Sequence, residues 1–462
     1  MYILYVLFTG IILPVVHTPP ERVERELAFT ETTEQVALLE YGPDAFAARL
    51  DIIEEAQESI DVAYYYMDEG ISVKTFNSYI LAAADRGVKV RYLLDGIKHG
   101  LRGEYRGVFH LFNEHPNIEL KLYEPFPSTI LFPWRTNNRL HDKLLIVDEA
   151  YSIIGGRNIG DIYFQRPEPT DPYSFDRDVL LINTNEQENS FVGQMKSYYT
   201  DLWETDFAVS QTNATLFPWQ KSRGDNQEEE LDDIYQTHRE EKETAESTTD
   251  MTHWNEQSVE IDQAYFTSNS LERQFKDPYV WSDLLTLASQ AEESIIIQSP
   301  WVVPDRQMRK ELEKETYHAK EGYILTNAAS TTNNIIGQSG TENRKQDFID
   351  SQLDYYEFQP SHSSLHTKLL VVDEQISAVG TFNFDARSTY FSTESMLFID
   401  SDALASQIIE EIETTYLRKS ALYEEDGDVI TGEDTDYVEP SVWRRIGIYI
   451  LRPFAWLAER LI

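Results

Sequence analysis

An α/β fold built from two related halves is predicted by three features of this chain. Four segments recur in the same order, each is a short apolar run at a regular place, and the chain is apolar enough for two cores. Its 462 residues are 41% hydrophobic and 12% aromatic, which supports two domains or two fused halves. The recurrence matters most, because a duplicated unit fixes the architecture. Segment 56-AQESIDVAYYYMDE-69 returns as 291-AEESIIIQSPWVVPDR-306, an offset of 235 residues (291 minus 56). In both, a helix end carrying Ala and Ser leads into a run with strand character and an aromatic or Pro-rich exit. Segment 87-GVKVRYLLDG-96 returns as 322-GYILTNAAS-330 at the same offset, and 118-IELKLYEP-125 resembles 353-LDYYEF-358. Finally, 140-LHDKLLIVDEAYSIIGGRN-158 matches 365-LHTKLLVVDEQISAVGTFN-383, an offset of 225 (366 minus 141). Helices alternating with short buried strands define the class.

Composition divides the chain further. Residues 1–20 contain MYILYVLFTGIILPVV, a charge-free run of sixteen residues. It falls just short of the roughly 17 to 25 that span a bilayer and lacks the basic region and cleavage site of a signal peptide. A short or N-terminally incomplete membrane anchor is expected, with a buried strand or helix as the alternative. Residues 30–222 form the first half and 263–422 the second. Between them, 223–262 reads as an acidic linker or surface insertion, because 223-RGDNQEEELDDIYQTHREEKETAESTTD-250 is polar and almost without apolar periodicity. Residues 423–462 join an acidic stretch to 442-VWRRIGIYILRPFAWLAERLI-462. Arginines and tryptophans on an apolar helix are the composition of an interfacial membrane segment attracted to anionic lipid.

The 39 Lys and Arg stand against 80 Asp and Glu, a net charge of −41. Such a field repels phosphate polymers, so no nucleic-acid partner is expected. The excess acid reads as a solvated surface. There is no cysteine, which excludes disulfides, Cys-ligated zinc and thiol catalysis.

The chemistry lies in the fourth repeat. Residues i and i+2 of an extended chain share a face, so His141 projects with Lys143, and His366 with Lys368. The turns GGRN and GTFN supply small residues where a strand approaches a ligand. Asn158, Asn383 and the Thr381 hydroxyl are expected to bind phosphate there. A pseudo-twofold axis bringing the halves together would place two histidines, two lysines and two asparagines around one phosphate-sized pocket. One imidazole could then attack phosphorus while the other protonates the leaving alcohol, with lysine and asparagine stabilising the equatorial oxygens. No metal or other cofactor is expected, because each half brings one histidine and the lysines repel a cation. A histidine nucleophile also needs an orienting carboxylate. Glu394 is the candidate in the second half. In the first, Asp178 matches it by position ahead of 179-VLLI-182, and Asp176 competes.

The paired His-x-Lys-x4-Asp motifs, 141-HDKLLIVD-148 and 366-HTKLLVVD-373, with GG-x-N and GT-x-N following, resemble the phospholipase D superfamily from about Ala45 to Leu417. The resemblance implies two pseudo-twofold-related phospholipase D-like α/β domains with the active site at their interface. It implies a catalytic set of His141, Lys143, Asp148, His366, Lys368 and Asp373, a covalent phosphohistidine and double displacement. His141 is the expected nucleophile and His366 the general acid, then base. Asp148 and Asp373 lie beyond the strands and read as carboxylates that orient loops or the opposite half without a chemical step. The contexts 153-IIGGRNIGDIYF-164, 175-FDRDVLL-181 and 380-GTFNFDARSTYFSTE-394 are similar to bacterial cardiolipin synthases, although Gly156 stands where many superfamily members have Ser. That likeness implies phosphatidyl transfer at a bacterial cell membrane. The substrates would be phosphatidylglycerol and, in the subtype it resembles, phosphatidylethanolamine. A hydrolytic phospholipase D would use the same residues, and the charge disfavours a nuclease.

Overall fold

In the computed structural model each half folds into a mixed sheet of one shared topology. All residues are described except 69, 168–170, 184–189, 213–214, 245–248, 316, 333 and 361. The first half runs α1 (Gly42–Glu55), β1 (Ser59–Tyr64), α2 (Ile71–Asp85), β2 (Lys89–Asp95), α3 (Arg106–Glu114), β3 (Ile118–Tyr123), β4 (Lys143–Val147), β5 (Tyr151–Gly155) and β6 (Asp178–Ile182). Helix α4 (Pro218–Thr244) follows. The second half runs α5 (Tyr279–Ser289), β7 (Ser294–Gln298), α6 (Arg306–Lys314), β8 (Glu321–Asn327), α7 (Ile335–Ile349), β9 (Asp354–Phe358), β10 (Leu369–Val372), β11 (Ile376–Gly380) and β12 (Ser395–Asp400), and α8 (Val442–Leu457) comes last. Strand order is β3-β2-β1-β4-β5-β6 in one sheet and β9-β8-β7-β10-β11-β12 in the other. The first three strands of each half are parallel and joined by helices, as parallel pairing requires; the last three are antiparallel. The repeat also extends beyond the four segments legible in the sequence. Gln35–Leu39 pairs with β6, and Gln263–Ser268 occupies the same place beside β12.

The apolar runs LLIV and LLVV are continuous because both faces of each sheet are covered. Alternate side chains divide between the faces. Leu144 and Ile146 meet Leu369 and Val371 in a core between the two sheets. Leu145 and Val147 turn to the helices of the first half, and Leu370 and Val372 to those of the second. The two sheets therefore share a face, and two short parallel ladders stitch its edge. Arg139–Leu140 pairs with Ser392–Thr393, and Tyr173–Phe175 pairs with Ser363–Leu365.

Three expectations gain detail here. The stretch read as an acidic linker or surface insertion is largely the 27-residue helix α4, which packs on α2 and α3. Its inward stripe, Gly224, Gln227, Leu231, Tyr235, His238 and Lys242, has helical spacing, but it is mostly polar and so invisible to hydropathy. His238 Nδ1 lies 2.9 Å from the Tyr79 hydroxyl, and Lys242 Nζ lies 2.5 Å from Asp51. Residues 245–248 of that stretch lie outside the described residues.

The N-terminal run is a set of short helical turns docked on residues 126–137. Tyr5 Oη donates to Leu131 O at 3.0 Å and Asn137 Nδ2 to Gly10 O at 3.1 Å. Among the described residues, no helix is long and apolar enough to cross a membrane.

Asp148 and Asp373 stand at the ends of β4 and β10 away from the histidines, with φ of 52° and 53°. The Asp148 carboxylate accepts the N–H groups of Gln57, Glu58 and Ser59 at 2.5–2.9 Å. Asp373 accepts those of Glu292, Glu293 and Ser294 at 2.7–3.1 Å. Each carboxylate thus clamps the loop entering β1 or β7 of its own half, and neither belongs to the reacting set or reaches the other half. Asp373→Asn, which keeps a residue tolerant of positive φ, is expected to lower stability by about 1 kcal/mol in urea unfolding and to leave turnover unchanged. Lost turnover at unchanged stability would return the carboxylate to the chemistry.

Candidate active site

The two ladders between the halves build the site. In an in-register parallel pair, the residues that follow the last partners are again neighbours. Leu140 pairs with Thr393, so His141 emerges beside Glu394, with Nδ1 2.9 and 3.0 Å from the two carboxylate oxygens. Leu365 pairs with Phe175, so His366 emerges beside Asp176, with Nδ1 2.6 Å from Oδ2. The His366 N–H donates to Phe175 O at 2.7 Å, and the His141 N–H to Thr393 Oγ1 at 3.0 Å. Each imidazole is therefore oriented by a carboxylate of the opposite half. With Nδ1–H on the carboxylate, the tautomer leaves the Nε2 lone pair free. Among the described residues Nε2 of neither histidine has a protein partner, and 13% and 16% of the two side chains stay accessible above fully buried carboxylates.

Asp178 does not orient a histidine. Register shows why: Asp178 lies opposite Gly155 in β5 and Met396 opposite Gly380 in β11. Asp178 thus corresponds to Met396, and the true counterpart of Glu394 is Asp176, two residues earlier. The Asp178 carboxylate is buried instead between Arg49 and Arg157, at 2.8 and 3.2 Å. In the second half that place is apolar, with Phe382, Met396 and Trp281 in one cluster.

Thr381 is likewise no phosphate ligand. It is fully buried and its hydroxyl donates to Glu394 Oε2 at 2.6 Å, so it holds the carboxylate that holds His141. Its counterpart is Gly156, where an added Cβ would meet Asp176 Oδ1 at 2.0 Å. The shorter aspartate lies against the strand and requires glycine there.

Asn158 and Asn383 are buried at the turns. Asn158 Nδ2 donates to the Tyr163 hydroxyl at 3.1 Å, and the Oδ1 atoms of both are buried without partners. The Tyr163 ring stands edge-on to His366 at 5.7 Å and Tyr65 edge-on to His141 at 5.2 Å. Lys143 Nζ lies 5.5 Å over the Tyr65 ring and donates to His141 O at 2.5 Å. Lys368 Nζ donates to His366 O and lies 2.9 Å from His366 Nδ1.

Sequence reasoning passed over the braces of these loops. Asp95 accepts the Leu140 N–H at 3.2 Å and Arg139 Nη1 at 3.1 Å, while Asn327 Oδ1 accepts the Leu365 N–H at 2.8 Å. The available signal was a polar residue closing the same strand, β2 or β8, in each half. Asp142 accepts from Ser395 Oγ at 2.7 Å and the Tyr198 hydroxyl at 3.0 Å, and nothing at the matching Thr367 announces that bond.

Burial sets the electrostatics. Desolvation, with Lys143 and Lys368 nearby, pushes the His141 imidazole well below its usual range. Desolvation and Lys368 lower His366 to about 4 although Asp176 raises it. The lysines fall too, by desolvation first, to about 7 for Lys143 and about 8 for Lys368. Burial lifts Glu394 well above the carboxylate range against the pull of Lys143. At Asp176 burial acts the same way, but His366 and Lys368 outweigh it and hold the carboxyl low. At neutral pH both imidazoles are free bases in a pocket poised for an anion.

Two histidine–carboxylate couples crossed between the halves of a duplicated α/β fold define an enzyme of the phospholipase D type. The family described as "Cardiolipin synthase, PLD-like domain" matches residues 50–203 and 284–416, and the chain belongs to that family. It is 29% identical over 405 residues to cardiolipin synthase C of Escherichia coli, covering 80% of this chain and 82% of that one. An uncharacterised Helicobacter pylori protein is 28% identical over 403 residues, covering 80% and 77%. The fold matches the crystal structure of a phosphatidylserine synthase from Haemophilus influenzae with a TM-score of 0.64 at 14% identity, over 96% of this chain and 97% of that one.

Asp176→Asn is expected to lower kcat by about 10²–10⁴ with the fold intact. Asp178→Asn is expected instead to cost about 3–5 kcal/mol of stability by stranding two buried arginines; urea unfolding and initial rates separate the two, and swapped phenotypes would contradict the register.

The pH profile of kcat/KM reports the free enzyme. Activity is expected to fall on the acid side as His141, the imidazole that must be unprotonated, takes a proton below its usual range and on the alkaline side as the lysines lose charge between about 7 and 8. Asp176 raises the His366 pKa, so Asp176→Asn should lower the pKa of His366 followed by NMR titration; a pKa that stays in place would refute the pairing.

Proposed function

We propose that this enzyme is a cardiolipin synthase-type phosphatidyltransferase working through a covalent phosphohistidine. The observation that carries the reading is the pair of free-base imidazoles, each fixed by a carboxylate from the opposite half, with two buried lysines beside them. In the first step His141 Nε2 attacks phosphorus, the bond to the head-group oxygen breaks, and His366 gives that alcohol its proton. A bound phosphodiester anion raises the His366 pKa and so lets it carry that proton. In the second step His366 takes the proton of a glycerol hydroxyl, whose oxygen attacks phosphorus and displaces His141. Roles follow from the two environments: Asp176, held low by His366 and Lys368, raises the His366 pKa and favours its carrying a proton, while desolvation and the two lysines keep the His141 imidazole well below its usual range. Lys143 and Lys368 bind the phosphate oxygens, with the turn amides of Asn158 and Asn383 beside them. Phosphatidylglycerol is the proposed acceptor, and phosphatidylglycerol or phosphatidylethanolamine the donor.

A membrane surface supplies these lipids, and three exposed apolar segments support docking to it. Leu4 and Phe8 lie on the N-terminal turns, Phe126 and Leu131 on the segment beneath them, and Trp443, Phe454 and Trp456 on α8. The first two touch each other, and Arg460 joins the third to the first through Val15 O at 2.9 Å. Arg444, Arg445 and Arg452 supply charge suited to the anionic lipid of a bacterial cell membrane.

Purified protein given labelled phosphatidylglycerol, with and without phosphatidylethanolamine, is expected to form cardiolipin. Formation of phosphatidic acid alone would identify a hydrolase. His141→Ala and His366→Ala should each abolish turnover, and an acid-labile phosphoenzyme should map to the peptide bearing His141; its appearance on the His366 peptide would reverse the roles.

A further inference from the structure

The halves differ in what covers the outer face of each sheet. In the first, α2 is fifteen residues long and lays Val73, Phe76, Ile80 and Leu81 into the core over β1. In the second, the corresponding α6 has nine residues, RQMRKELEK, and buries only Met308 and Glu311. Ile295 and Ile297 occupy the places of Ile60 and Val62, at the same 235-residue offset. Val62 is fully covered, but Ile297 is not. A cavity of about 660 Å³ opens where a longer helix would lie. It follows β7 from Ile295 to Ser299, roughly 13 Å at strand spacing, between α5 and α7.

Its wall is mostly aliphatic and aromatic, including Leu284, Ile297, Ile324, Phe348 and Leu370. The Tyr317 hydroxyl on it is buried without a partner among the described residues. At the rim, Arg309 and Arg344 both bind Glu459, at 3.2 and 2.7 Å. Glu459 closely follows α8, the apolar helix packed on the back of α7. A narrow apolar slot, one buried donor without an acceptor and a rim tied to the segment assigned to the lipid surface suit one kind of ligand.

We propose that this cavity binds a single acyl chain, with the Tyr317 hydroxyl open to its ester or carboxyl oxygens. The proposal rests on the reading of the protein as a lipid enzyme, and the chain belongs either to the substrate phospholipid or to a separate lipid.

The test uses the purified full-length protein and cis-parinaric acid, a fluorescent fatty acid. Saturable binding is expected, with Ile297→Phe and Ala288→Phe, which fill the slot, weakening it at least tenfold at an unchanged circular dichroism spectrum. Tyr317→Phe, which leaves the apolar wall in place, should weaken it about fivefold, the worth of one hydrogen bond. Binding that all three variants retain would place the probe on the apolar surface and overturn the proposal. In transfer assays, a filled slot that raises KM for long-chain but not dihexanoyl phosphatidylglycerol assigns the chain to the substrate. Equal KM values with lost parinarate binding assign it to a separate lipid. Parinarate binding without phosphatidyl transfer would sink the enzymatic reading and leave the cavity standing, whereas transfer without saturable binding would sink the cavity alone.

Discussion

Two short parallel ladders between the halves are the constraint on which the site depends. Register in a parallel pair continues past the last hydrogen bond, so pairing Leu140 with Thr393 and Leu365 with Phe175 leaves each histidine nowhere to go but beside the other half's carboxylate. The shared core of Leu144, Ile146, Leu369 and Val371 holds the sheets face to face, and Asp95 and Asn327 fix the residue before each histidine. A slip of one residue would turn the histidines to the opposite face of the strand. Neither half contains a complete couple.

Burial then converts geometry into reactivity. Desolvation, and after it the mutual repulsion of two lysines and two imidazoles in one pocket, empties both imidazoles of their second proton and loosens the protons on the lysines. A phosphodiester relieves that repulsion on binding, so the pocket is organised for the charge it will meet before substrate arrives. The two couples are unequal: Glu394 shares its carboxylate with Thr381, while Asp176 lies over Gly156 and is balanced by Lys368.

The duplication was legible because the strand motifs are nearly identical in the two copies, and four residues of the site, His141, Lys143, His366 and Lys368, followed from them. Asp176 was displaced by Asp178 because the repeat breaks down where β6 and β12 begin. There an arginine-paired aspartate replaces Met396, and only hydrogen-bond register shows the true correspondence. Thr381 looked like a ligand because a hydroxyl beside a catalytic turn has two readings, and only the distance to Glu394 separates them. Helix α4 escaped because its buried stripe is built from Gly, Gln, His and Lys, whose partners on α1 and α2 no periodicity reveals. Asp148 and Asp373 belong to the motif as sequence, but their positive φ and three N–H donors each make them loop clamps.

The crossing of histidine and carboxylate between the halves can be observed directly by proton NMR of the histidine-labelled protein. An Nδ1–H held by a buried carboxylate resonates far downfield, so two such signals are expected at neutral pH. Glu394→Gln should remove the His141 signal and spare that of His366, and Asp176→Asn should do the reverse. Loss of the His366 signal on substituting Glu394, or no change in either, would contradict the account.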